Sequence, residues 1–301
     1  MNIARASNDR PPRPELVVRD EPEARLVRTL PSRTAAALLI SFLPACSGTG
    51  DGGTGDPHAD PSKDALGNCP KISELVGPAT WLNPKDEDSL NCKVPADRYV
   101  CVSGITVVAV DRYDETGDGA AGNYYAQDTL AEPVPHSGMT IFAPSFSPPD
   151  LRLAPGDVTD LAGSLTEFLG PSSGRFGQCR TLPEISGAMS LRFEGAATPA
   201  ATIKLSELYT YEGARKYLGM LVRLENVAIG SNPTMSSGRY SAPLKIDMTI
   251  PAADVPKLSN ELFPLQDLGL EKGSTFTSIT GVITYFYGFK LAPRSAEDLV
   301  P

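Results

Sequence analysis

Residues 156–170 read GDVTDLAGSLTEFLG, and residues 273–288 read GSTFTSITGVITYFYG. Both carry G-x-[LI]-T-x-F-x-G. It falls at Gly163, Leu165, Thr166, Phe168 and Gly170, and 118 positions later at Gly281, Ile283, Thr284, Phe286 and Gly288. Upstream, CVSGITVVAV at 101–110 lies opposite MLVRLENVAI at 220–229, 119 positions on, and Gly122-Asn123-Tyr124 lies opposite Gly238-Arg239-Tyr240. Three correspondences in one order and at nearly constant spacing mark an internal repeat. The chain reads as two copies of one unit, over 99–186 and 214–301, with a connector at 187–213.

Each copy is patterned for strands. Residues 100–110 are β-branched and apolar with partial alternation, a long first strand. A Gly/Asp loop at 111–122 leads to short strands at 124–127 and 139–143, and a proline-rich connection at 144–155 to a strand ending at Phe168. Residues 178–185 close the set. The second copy follows with 218–229, 239–243, 244–250, 274–287 and 288–293, and only 203–217 and 253–267 look helical. Five strands with a tight turn before the fourth predict an all-β fold of two tandem OB-like five-stranded barrels. The 27 glycines and 28 prolines agree, favouring turns and short strands over long helices.

Residues 1–46 hold seven arginines, five acids and, at 34–43, the apolar run TAAALLISFL. The run is too short to span a bilayer but suits a secretory signal segment preceded by Arg28 and Arg33. Leu43-Pro44-Ala45-Cys46 resembles the lipobox of bacterial lipoproteins, which implies lipid attachment at Cys46 and export to a lipid-anchored position in the cell envelope. Ser47 at the next position resembles sorting to the outer membrane or cell surface rather than the inner membrane. The leader is long for a signal peptide, so translation is expected to start near Val27. Residues 47–66 are a Gly/Asp-rich tether with a root-mean-square reach of roughly 25 Å, and 67–98 are a lead-in containing Cys and Pro.

Setting Cys46 aside leaves Cys69, Cys92, Cys101 and Cys179, an even set in an oxidising compartment. Of the three pairings, 69–92 and 101–179 are expected: the first closes a local Pro-rich segment and the second ties two strands of one barrel. Zinc is the alternative use of these cysteines. Against it stand the missing C-x-x-C and the presence of only two histidines, His58 in the tether and His136 in a loop.

The formal charge is −9, and −11 once residues 1–46 are removed. General nucleic-acid binding needs clustered positive charge, so the balance argues against it. There is no phosphate-binding glycine loop, nucleophile elbow or Ser/His/Asp motif, and the chain is read as non-catalytic. Asp114-Glu-Thr-Gly-Asp118-Gly119 matches the opening of a calcium loop, but Tyr125 stands where an EF-hand needs glutamate. Asp111, Asp114 and Asp118 remain either ligands of a weaker calcium site or a solvated acidic turn.

The motifs V-x-G-I-T-V-V-A-V, N-Y-Y-A-Q-D, G-M-T-I-F-A and P-G-D-V-x-x-L-x-G-S-L-T-E-F-x-G over 102–170 resemble the OB-type domain attached to some secreted bacterial nucleases. The end of the second copy, 278–299, resembles the closing strand of the same class in surface lipoproteins. In those nucleases a separate domain does the chemistry, so the resemblance implies an accessory module. Strand alternation places Phe168 and Phe286 inward and Tyr285 and Tyr287 outward. Arg239 with Tyr240, and Lys290 and Arg294 with Tyr285 and Tyr287, are then candidate ligand contacts, able to stack on bases or sugar rings. The alternative for these aromatics is packing between the two barrels. The expected function is a binding or scaffolding module of the envelope, whose partner is a membrane through its lipid and an envelope protein or polymer. The second reading is an accessory or degenerate relative of an extracellular nuclease, contributing to nucleic-acid substrate binding.

Overall fold

In the computed structural model, which describes residues 69–77, 94–115, 117, 122–195 and 198–301, the five long strands of the first copy close on themselves. They are β1 (Arg98–Val110), β2 (Tyr124–Asp128), β3 (Gly138–Ile141), β5 (Asp157–Phe168) and β6 (Leu182–Glu194), with a short β4 (Ser145–Ser147) on the outside of β6. Their order is β3-β2-β1-β5-β6, and a parallel β3–β6 pairing completes the ring. All other ring neighbours are antiparallel, which is the connectivity of an OB barrel. The last strand, expected over 178–185, begins at Leu182 and continues to Glu194.

The repeated glycines explain part of this closure. Gly163 of β5 faces Gly187 of β6. A Cβ on Gly163 would lie 2.2 Å from the Ser186 carbonyl oxygen, so only glycine allows this approach. Gly281 has the same crowding against Ala292 in the second copy. The glycines that end the motif, Gly170 and Gly288, have φ of 96° and 146°, a region that side chains disfavour.

The second copy follows a short β7 (Ala201–Ile203) and helix α2 (Tyr211–Arg215). Its strands are β8 (Leu221–Ala228), β9 (Thr234–Ser236), β10 (Arg239–Pro243), β11 (Lys257–Ser259), β12 (Thr275–Tyr285), β13 (Phe289–Ala292) and β14 (Leu299–Val300). The order β8-β12-β13-β11-β10 repeats that of the first copy, including the parallel β11–β13 pair. It does not close: β8 and β10 meet only through the Ile229–Leu244 bridge, and β10 pairs with β9 instead. The third strand, expected at 244–250, is β11, inside a segment expected to look helical. Leu258 is fully buried, whereas Met248 is 56% exposed; burial of the apolar side chain selects the later segment.

Cys69 is bonded to Cys101, not to Cys92, which overturns the expected pairing. The cause is helix α1 (Ile72–Val76). Its Ile72 and Val76 are buried in the first barrel's core. Its first turn is held by Asp128, which accepts hydrogen bonds from the Ile72 and Ser73 amides and the Ser73 hydroxyl at 2.8, 3.2 and 3.0 Å. That brings the Cys69 Cα to 5.2 Å from that of Cys101 on β1. Cys179 is also disulfide-bonded. Cys46 with the leader, the tether with His58, Cys92 and Asp118 lie outside the described residues.

The described residues belong to one compact unit, and the two copies share buried surface. Every residue of β2 is buried. Tyr124 and Ala126 point into the first core, while Tyr125 joins a second cluster with Leu221, Val282 and Ala292 of the other copy. The Gln127 side chain accepts a hydrogen bond from the Leu221 amide at 3.0 Å. Phe176, on the loop after β5, is 1% exposed and belongs to the second copy's core. Across the same junction Arg215 donates to both oxygens of Glu167 at 3.1 Å, with side chains only 3% and 5% exposed. Thr181 donates to Glu167, and Tyr211 donates to the Thr181 carbonyl.

Removing one partner of such a pair strands a buried charge. Arg215→Ala should lower unfolding free energy by roughly 3–5 kcal/mol in a denaturant titration, whereas Glu167→Leu with Arg215→Met should recover most of that loss. An unchanged midpoint for Arg215→Ala would contradict the buried geometry. Mass spectrometry of a non-reduced digest should recover the Cys69 and Cys101 peptides as one linked species.

Candidate functional site

The copies enclose a cavity of about 220 Å3 lined from both sides. The first copy contributes Asp111, at the end of β1, Glu115 from the following loop, Tyr125 from β2, and Phe168 and Glu184 from β5 and β6. The second contributes Arg239 at the start of β10, Glu261 just past β11, and Tyr285 and Phe286 at the end of β12. The two-residue turn Ser237-Gly238, with φ of 48° and 79°, reverses β9 into β10 and places Arg239 at the rim.

Glu261 is the best-satisfied acid. It accepts from the Lys290 ammonium and the Thr284 hydroxyl. Burial alone would raise its pKa, but Lys290 and these hydrogen bonds override it and hold the carboxyl below its ordinary value. Arg239 lies 3.5 Å from Glu115, whose pKa burial nevertheless raises. Asp111 is 8% exposed, and its Oδ1 has no hydrogen-bond partner. Burial first, and then the charges of Glu115 and Glu261, push its pKa up to about 7. Burial and the charge of Glu167 push Glu184 to about 7 as well. Rings complete the walls: Phe286 carries the Arg239 guanidinium 4.8 Å and the Lys290 ammonium 5.6 Å from its centroid.

This arrangement redistributes the residues expected from sequence. Arg239 and Lys290 do adjoin an aromatic ring, but Phe286 rather than a tyrosine, and each is matched by a carboxylate. Tyr285, expected to face outward, is 3% exposed and packs on Phe176, Tyr211 and Phe289. Both faces of β12 are covered near its end, so alternation there no longer separates inside from outside. Tyr240 is also buried, at 9% exposure. Tyr287 is half-exposed, but its ring meets Phe176 edge-on and its hydroxyl donates to the Gly174 carbonyl. Tyr285 and Tyr287 thus pack against Phe176 of the first copy, while Tyr240 lies in the second copy's core. Arg294 lies elsewhere, held by Asp298 at 2.8 and 2.9 Å and donating to the Val108 carbonyl.

Among the described residues no group of three His, Cys, Asp or Glu side chains could hold a metal, and Asp118 of the expected calcium site lies outside them. Asp114 accepts from the Gly117 amide as a turn residue, and Asp111 lines the cavity instead. His136 sits in a loop at φ 67°, its amide donating to the Lys216 carbonyl. Glu184 and Glu261 escaped sequence reasoning because neither lies in a repeated motif. Gln127, Asp128 and Glu167 do lie in the quoted motifs, and that was the one available sign of them.

No protein-family model matches this chain, and no curated protein matches it. Among solved structures, a likeness is found to a deletion mutant of the single-stranded DNA binding protein from Thermus aquaticus. It has 11% identity over 66% of this chain and 91% of that one, with a TM-score of 0.17, too poor a superposition to carry a ligand across.

Asp111 and Glu184 generate a pH signature. Their folded values of about 7 exceed the ordinary 3.8 and 4.5, so their contribution to stability is complete below those ordinary values and is lost as pH rises through about 7. The melting temperature should fall between about pH 4 and pH 7, and less steeply in an Asp111→Asn, Glu184→Gln double variant. Identical slopes would show that neither group is responsible.

Proposed function

We propose that this chain is a non-catalytic lipoprotein of the cell envelope, acting as a binding or scaffolding module. The observation that carries the binding role is the junction cavity. It belongs to neither copy alone, is walled by side chains of both, and contains a buried carboxylate oxygen without a partner. The anchoring rests on the sequence: a lipobox-like Leu43-Pro44-Ala45-Cys46 followed by a tether long enough to hold the folded unit clear of lipid head groups. The nuclease-accessory reading asks for a positive aromatic face. It is the weaker one because Arg239, Lys290 and Arg294 are each matched to a carboxylate.

The full-length chain expressed in a bacterial host should sediment with membranes and take up an acyl label. Cys46→Ser should appear in the soluble fraction without label, and continued labelling of that variant would overturn the anchor. Single-stranded DNA should leave the melting temperature unchanged at low salt. Saturable binding with a steep salt dependence would favour the nuclease-accessory reading instead.

A further inference from the structure

The carboxylates of the junction cavity are unevenly served. Lys290 is engaged by Glu261, and Arg239 reaches Glu115 with a side chain that remains 42% exposed. Among the described residues no ion pair reaches Asp111 or Glu184. Asp111 is nevertheless more than nine-tenths buried, and although the Tyr113 backbone amide donates to its carboxylate, its Oδ1 lacks a hydrogen bond. A buried carboxylate oxygen in this state can accept a further donor, and the surrounding negative charge favours a positive one. The walls add aromatic faces, and Phe286 already holds a guanidinium and an ammonium of the chain itself at cation–π distance. The site therefore displays, with its own Arg239, the chemistry it accepts.

We propose that the cavity between the two copies binds a small organic cation, one bearing ammonium or guanidinium groups. The ligand is organic rather than a metal ion because aromatic rings share the walls with the acids. It is small because about 220 Å3 lies below the range of drug-sized pockets. Its positive groups contact Asp111 and Glu184, its carbon chain lies against Phe168 and Phe286, and Arg239 sits at the rim as a competing cation. The charged groups facing Asp111 are Glu115, Glu261 and Asp114, and Glu167 faces Glu184. Arg239 and Lys290 are the opposing cations. Binding therefore strengthens as pH rises and Asp111 and Glu184 lose their protons.

This inference rests on the binding-module reading and names its ligand class. The test is calorimetric titration of the full-length chain at low salt with putrescine, agmatine, a capped Gly-Arg-Gly peptide and calcium chloride as separate probes. One or more organic cations should bind saturably at about pH 8 and about ten-fold more weakly at about pH 5.5. Asp111→Asn and Glu184→Gln should each weaken binding by about ten-fold or more, and Arg239→Gln should leave it equal or tighter. Tighter binding of the free amines identifies a diffusible ligand, and binding of the peptide alone identifies a basic segment of another protein; either supports the site. No binding of any organic cation, equal binding by wild type and a folded Glu184→Gln variant, or a response to calcium alone would overturn it. Membrane sedimentation in the same preparations separates the two claims. A membrane-bound chain that ignores amines refutes only the cation site, and a soluble one that binds them refutes only the anchor.

Discussion

A guanidinium from the second copy is buried against a carboxylate from the first, and the rest of the arrangement follows from that contact. Arg215 and Glu167 are almost wholly out of water, so each must be answered by the other and by the groups around it. Thr181 and Tyr211 supply those groups, and their hydrogen bonds are directional. Burial raises the Glu167 pKa, and Arg215 works against that rise. A purely apolar interface could slide; here Arg215 Nη2 donates to both Glu167 oxygens while Nη1 donates to the Thr181 carbonyl and the Tyr211 hydroxyl, so the guanidinium is held on two sides. With the copies held in that register, Phe176 of the first enters the core of the second, and the aromatic end of β12 closes around it.

The same register produces the cavity. Asp111 and Glu184 approach from one side and Arg239 and Glu261 from the other. Local charge here departs from what the linear sequence suggests. An acidic loop and a cationic strand, which look like features of two separate surfaces, lie face to face. Five of the six copy-two residues that looked available for a polymer are paired with a carboxylate or buried, and only Tyr287 stays half-exposed, while Asp111 of the first copy keeps one oxygen without a hydrogen bond.

Period-two reading succeeds where one strand face is dry and the other wet. It placed the first four long strands of the first barrel within a few residues, because β1 and β5 carry continuous apolar faces into one core, and fell nine residues short at the end of β6. It failed at Tyr285, since β12 is covered on both sides there. It also failed for the third strand of the second copy, where apolar character at Ile246, Met248 and Ile250 was not accompanied by burial. The cysteine pairing lay beyond it for another reason. Spacing does not encode which loops come together, and the short helix α1 decided that by burying Ile72 and Val76.

Repetition, strand identity, excess acid and the lipobox-like leader were all legible as local pattern. Each is written in neighbouring residues whose spacing matches a backbone period or a short recognition motif. The buried Glu167–Arg215 pair, the Cys69–Cys101 bond and the cavity join positions tens to more than a hundred residues apart. Their chemistry depends on which two surfaces meet, and on how little water remains between them. Burial moves Asp111 and Glu184 away from ordinary carboxylate behaviour, and how much water a side chain loses is set by the packed tertiary structure rather than by its neighbours in sequence.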